Sequence, residues 1–348
     1  MLRNRLILRK VVAIAICLAG TTMFSGCDKE KENPIDDGQS GTTNNGYDVY
    51  VAGNEYEIAK LWKNGIAQEL EGTNASSVFI YGNDVYVAGT KYEDYYTNSA
   101  MLWKNGVAQT LGQGRYGGAN SVYVLNGDVY VAGSASRGIL SDAKVWKNGK
   151  EIYSFSSGYA YGISVFAYNN DVYLLGNDRK DWSTTPTYKL WKNGEQVHTF
   201  GDSPISSIFV SGMYWYAVGF MDYGSYYWET VWKNGVSQNL LKTYSTGSMS
   251  IYVSGGDTYV VGFESSSSSS AYKAILWKNG EKQNLSDGTM NEYATSVYVT
   301  PSGDVYVAGY EQSGSHSAAK IWINGKAQML TDGTKSARAN SIFVVEKK

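Results

Sequence analysis

Cysteine and histidine are almost missing from this chain: its 348 residues hold 2 Cys and 2 His. Cys17 lies inside an apolar run near the N-terminus and Cys27 just after it, so they build no disulfide framework. His198 and His316 fall in different repeats, which leaves neither a histidine metal cluster nor a serine–histidine–aspartate triad. An Asp-rich calcium loop with its glycine is also lacking. No metal and no cofactor is therefore expected. Cationic charge is scarce, with 30 Lys+Arg against 32 Asp+Glu and a formal net charge of −2. Four of those cations (Arg3, Arg5, Arg9 and Lys10) precede the apolar run, so the remainder is more acidic still. Without a basic stripe, nucleic acid is not an expected partner. Helical periodicity of useful length is absent after the first segment, and what remains reads as strand.

The first 26 residues read as a cleaved leader: a basic start, then an apolar run from Val11 to Phe24 too short to span a bilayer as a mature helix. The run ends in Phe24, Ser25, Gly26 and Cys27. Small residues directly before a cysteine resemble the lipobox of bacterial lipoproteins, which implies lipidation of Cys27 after cleavage. An ordinary signal peptide with a chance cysteine is the alternative. Residues 27–46 are polar and rich in Gly, Ser, Thr and Asn, as expected of a flexible tether. The charged cluster Asp28 to Glu32 resembles the surface-export signal of Bacteroidetes-type lipoproteins. The resemblance implies an outer-membrane domain that faces outward and touches the membrane only through its lipid. A periplasm-facing placement is the alternative.

Residues 47–348 repeat one pattern seven times. Its clearest copy runs DVYVAG (Asp84 to Gly89), a variable gap, AMLWKNG (Ala100 to Gly106) and VAQTL (Val107 to Leu111). The tryptophans Trp62, Trp103, Trp146, Trp191, Trp232, Trp277 and Trp322 mark the beat at spacings of 41 to 45 residues. A period of that size made of short Val/Tyr/Trp-rich strands signals a radial or stacked β-array. Each unit offers four strands. A two- or three-residue break follows the first, and an Asn-Gly pair suited to a type I′ hairpin follows the third. The array opens on a second strand (Asp48 to Val51) and closes on a first strand (Ser341 to Val344). These fragments complement each other in a ring, which leaves no sheet edge at the seam. The expectation is an all-β, seven-bladed β-propeller of four-stranded antiparallel blades, its C-terminal strand completing the first blade. The wording resembles bacterial seven-bladed propeller repeat proteins and, loosely, kelch and WD repeats. The resemblance speaks to architecture, not activity.

Residues repeated seven times are demanded by the blade rather than by one site. The tryptophans and the tyrosines Tyr50, Tyr86, Tyr130, Tyr173, Tyr216, Tyr259 and Tyr306 are expected to fill the wedges between blades. The turn lysines and aspartates are expected to form a solvated rim. Strand alternation sends both tight turns to one face and the other two connections, expected to be long and variable, to the opposite face. Binding is expected on that loop face. The inter-blade connections bring Arg115, Tyr116, Tyr159, Tyr161, Tyr244, Tyr293 and Arg338, expected to rim the channel. The outer loops bring Tyr95, Tyr96, Trp182, Tyr223, Tyr226 and Tyr227. Rings beside polar groups suit a glycan or a protein partner.

The reading is therefore a lipid-anchored, monomeric cell-surface propeller that binds a glycan or protein ligand without chemistry of its own. The alternative is a glycan-active hydrolase or lyase using loop carboxylates or tyrosines, with Glu93, Asp94, Asp178, Asp181, Asp222 and Glu292 as the available acids. The boxes of sialidase-like propellers are lacking. A scaffold role through the tight-turn face is a third possibility.

Overall fold

The computed structural model describes residues 46–347 except 157, 266 and 268–270. The expected leader, Cys27 and all of the expected tether except Gly46 lie outside the described residues. No described residue is helical. The strands form five four-stranded antiparallel sheets and one eight-stranded sheet. The larger sheet is two four-stranded meanders joined by a single parallel bridge between Ser141 and Tyr159. Each meander is a blade, with strands a to d running from the innermost outward. Blade 2 comprises Asn74–Tyr81, Asp84–Asp94, Thr97–Lys104 and Val107–Gly114. Blade 1 draws its strand a, Ala337–Glu346, from the C-terminal end and pairs it antiparallel with Tyr47–Glu55.

Two circuits close the ring at its centre. The rings of Phe79, Tyr123, Phe166, Phe209, Tyr252, Tyr298 and Phe343, one per strand a, meet in sequence with centroids 4.2–5.1 Å apart. The last, Phe343, returns to Phe79 at 4.7 Å. Burial pushes the Tyr123 phenol up to about 12. Two residues before each ring stands a serine. Six of these serines accept the backbone N–H of a neighbouring blade, as Ser77 does from Val122 and Ser341 from Val78, at 3.1–3.4 Å. The Ser-Val-Tyr-Val strands thus stitch blade to blade, a role beyond strand propensity.

The repeated tryptophans fill the wedges. Trp103 is fully buried with Val78, Ile80 and Val87 of its own blade and Tyr50 and Leu61 of the preceding one. Each repeated glycine answers a local demand. Strand a carries a register shift between Ala75 and Ser77, opposite Gly89. A Cβ at Gly89 would overlap the Asn74 carbonyl oxygen and press on the Trp103 indole. Gly89→Ala is therefore expected to cost about 2–3 kcal/mol, because backbone cannot yield as a side chain does. Urea unfolding checks this, and an unchanged midpoint contradicts it.

Candidate functional site

The tight-turn face is a set of self-satisfied turns. In blade 2, Asn105 adopts φ 52° in the Asn-Gly hairpin. Its amide donates to Asp84 at 2.7 Å and its carbonyl oxygen accepts the Val85 N–H at 2.8 Å. Lys104 pairs with the same carboxylate at 2.8 Å and lies 5.4 Å from the Tyr86 ring centre. The hydrogen bonds from Lys104 and Asn105 hold the Asp84 carboxyl below the usual aspartate range. The clamp recurs at Asp48, Asp128, Asp171 and Asp257. In blade 5, Met213 replaces the aspartate and Lys233 sits over Tyr214 instead, 4.1 Å from the ring centre. The turn lysines of this rim are thus mostly neutralised by the aspartates beside them.

The opposite face differs from the expectation in one respect. The connections between strands b and c are not uniformly long. Tyr56 and Glu57, Tyr95 and Tyr96, Gly138 and Ile139, and Gly314 and Ser315 are two-residue turns on extended strands. Only blades 4, 5 and 6 carry longer connections there. Loop length thus varies between two groups, four tight turns and three longer connections, rather than from blade to blade.

On that face the candidate residues gather in three patches. The first spans blades 2 to 4. Tyr95 meets Tyr96 edge-on at 4.9 Å. The Arg115 guanidinium lies between rings, 5.8 Å from the centre of Tyr96 and 5.9 Å from that of Tyr116. Tyr116 contacts Tyr159, Tyr161 and Trp182 at 5.9, 6.3 and 5.5 Å, and Tyr159 meets Trp182 at 4.7 Å. Arg179 stacks 3.7 Å from the Trp182 centre. Neither Arg115 nor Arg179 pairs with a carboxylate among the described residues. Trp182, Tyr95 and Tyr96 are more than half exposed. Residues from inter-blade connections and from outer loops therefore share one platform. Arg179 was not singled out from the sequence, where it reads only as a charge at the end of a strand.

The second patch lies on blades 5 and 6. Tyr223 stacks on Tyr226 at 5.5 Å, and Lys242 lies 3.7 Å from the Tyr226 centre. Tyr226 and Tyr244 line a cavity of about 430 Å3 with Glu264 and Lys282, which pair at 2.7 Å. Tyr227 turns away and packs edge-on against Phe220. In the third patch, Tyr293 stacks on Tyr310 at 4.7 Å, and Arg338 lies 4.8 Å from the Tyr310 centre.

The loop carboxylates are largely engaged. Glu292 accepts from Lys320 at 2.9 Å and Asp178 from Lys189 at 2.7 Å. Glu93 accepts from the Ser99 hydroxyl at 2.9 Å. Asp94, Asp181 and Asp222 accept backbone N–H groups of their own turns, from Tyr96, Ser183 and Gly224. Hydrogen bonds from Ser183 hold the Asp181 carboxyl low, the reverse of what a general acid needs. Burial raises the Tyr161 and Tyr293 phenols, so both stay protonated at neutral pH. Burial lowers His198, which packs on Phe200 and Trp215.

No family model and no curated protein matches the chain. Among solved structures, the β-propeller domain of the Trilobed protease from Pyrococcus furiosus is 12% identical. The match covers 84% of this chain and 96% of that one, with a TM-score of 0.53. That domain is described as having an open velcro topology. Here the seam is zipped by Ala337–Glu346 on Tyr47–Glu55. The computationally designed Ika8 protein is 16% identical over 86% of this chain and 93% of that one, at a TM-score of 0.46. Pyrococcus horikoshii acylaminoacyl peptidase is 14% identical, over 79% of this chain and 46% of that one, at 0.45. The first likeness speaks for the propeller fold alone.

Proposed function

We propose that the chain is a seven-bladed, lipid-anchored cell-surface propeller that binds a glycan or protein ligand on its loop face and performs no chemistry there. One observation carries the reading: the exposed platform of Tyr95, Tyr96, Tyr116, Tyr159 and Trp182, with Arg115 and Arg179 stacked into it. Flat rings supply contact area at low entropic cost. A stacked guanidinium keeps its edge N–H groups free for a ligand's oxygens. The engagement of the loop carboxylates in ion pairs and turns favours binding over hydrolysis.

The propeller is a compact unit of its own, so a chain lacking the leader serves for testing. It is screened on glycan and protein-ligand arrays. Trp182→Ala and Tyr116→Ala are each expected to weaken the detected binding about 10- to 30-fold, the scale of central interface rings. Unchanged affinity in both would sink the platform reading. Anchoring is tested separately: protease added to intact cells is expected to release the propeller, and Cys27→Ser is expected to abolish membrane retention.

A further inference from the structure

A cavity of about 600 Å3 opens on the loop face at the seam where the two ends of the chain pair. Its walls come from three blades: Asn54, Tyr56, Glu57 and Arg338 of blade 1, Tyr92 of blade 2 and His316 of blade 7. The volume falls within the range of small-molecule sites.

Three features set this cavity apart. First, its wall holds an unfavourable turn. Tyr56 and Glu57 connect two strands with φ of 47° and 60°. The third-to-fourth strand turns place Asn-Gly in this left-handed region; here a bulky ring and a long acid occupy it. The Tyr56 N–H donates to the Ser336 carbonyl at 2.8 Å, which ties the turn to the inter-blade connection. Strain of this kind concentrates where a site requires particular side chains. Second, the polar groups at its mouth are unspent. Among the described residues, the side chains of Asn54, Tyr56, Glu57 and Tyr92 make no hydrogen bond or ion pair, and Arg338 has no carboxylate partner. By contrast, Asn74 deeper in the wall already bonds Ser76 and Asn340. Third, the charges oppose each other. An anion would meet Glu57 and a cation would meet Arg338, whereas a neutral polyol satisfies both. Its hydroxyls donate to the carboxylate and accept from the guanidinium, and the exposed Tyr56 and Tyr92 rings offer faces to its C–H groups.

We propose that this cavity is a second binding site, taking a short neutral saccharide. It shares none of its lining residues with the platform, so either site can fail without the other.

Hydrogen exchange of the leaderless chain tests it, with maltose, cellobiose and lactose as probes at about 10 mM, enough to reveal millimolar binding. The expected result is slowed exchange over residues 53–58 and 336–338, with residues 159–182 unaffected. The double change Tyr56→Asn with Glu57→Gly installs the residues the turn prefers. It is expected to raise the Tm by a few degrees while weakening binding at least about tenfold. Arg338→Met, outside the turn, is expected to weaken binding to a similar degree at unchanged Tm. Slowed exchange with none of the three sugars, or the turn variant binding as tightly as the parent, overturns the proposal. Protection confined to residues 159–182 also overturns it while leaving the platform reading intact.

Discussion

A chain ending at residue 334 is expected to lose its cooperative fold. The missing segment, Ala337–Glu346, is the innermost strand of blade 1. It buries Ala337, Ala339, Ile342 and Val344 against Val49, Val51 and Trp62 of its own blade and Tyr306, Ala308 and Ile321 of blade 7. It also supplies Phe343 to the aromatic circuit and the Ser341 hydroxyl that accepts the Val78 N–H. Burial of each large apolar side chain contributes about 1.5–3 kcal/mol. A domain's entire margin is about 5–15 kcal/mol. Losing Ile342, Phe343 and Val344 together with the strand's ladder therefore removes most of that margin and exposes the edge of Tyr47–Glu55 to foreign pairing. Circular dichroism melting and limited proteolysis of the truncated chain check this. A peptide of residues 335–348 added in trans is expected to restore protease resistance. A truncated chain that melts cooperatively near the parent Tm would show that closure is dispensable.

The second large effect is expected at Lys320. This side chain, 4% exposed, donates to Glu292 at 2.9 Å and to Glu311 at 2.7 Å. Burial works against its charge, but the hydrogen bonds to the two carboxylates outweigh it and raise its pKa. Linkage fixes the sign: a lysine raised on folding contributes stability that is fully present below its unfolded pKa, about 10.4, and is lost as pH climbs through the folded value. Lys320→Met leaves Glu292 buried without its cation, and one Glu292 oxygen already lacks a partner. The expected loss is about 3–5 kcal/mol. Replacing Lys320, Glu292 and Glu311 together by apolar residues is expected to restore most of it, since a buried pair contributes little net of its desolvation. Denaturant unfolding of the single and triple variants decides. A single variant within about 0.5 kcal/mol of the parent would mean that water reaches the carboxylates.

Much of the fold was legible because the residues that define it repeat. Trp103 and Tyr86 announce wedge-filling by recurring at each blade, and Asn105-Gly106 announces a hairpin by its chemistry. Other roles were hidden in the same words. The clamp of Asn105 on Asp84 and Val85 joins residues about 20 apart, and neither turn read alone implies it. Lys320 stands two residues before Trp322, where Lys60, Lys144 and Lys189 stand before their own tryptophans, but no local propensity marks that position as buried. Its burial follows only from facing the wedge, opposite Gly309 on the neighbouring strand.

The site was legible in composition and hidden in arrangement. Tyr116, Tyr159, Tyr161 and Trp182 were recognisable as loop-face rings, but their meeting depends on how the connection after blade 2 lies against the innermost strand and the outer connection of blade 4. Tyr56 and Glu57 gave no warning at all, because sequence argues against the left-handed turn they adopt. By itself the sequence determined the strands, the tight turns and their recurrence, since these follow from local propensity and a period written seven times. The tertiary structure alone decided which non-repeating side chains converge, which charges are buried and where the ring's seam leaves a cavity. Those outcomes depend on contacts between side chains on different strands, within one blade for Lys320 and its two glutamates and between blades for the platform and the seam cavity.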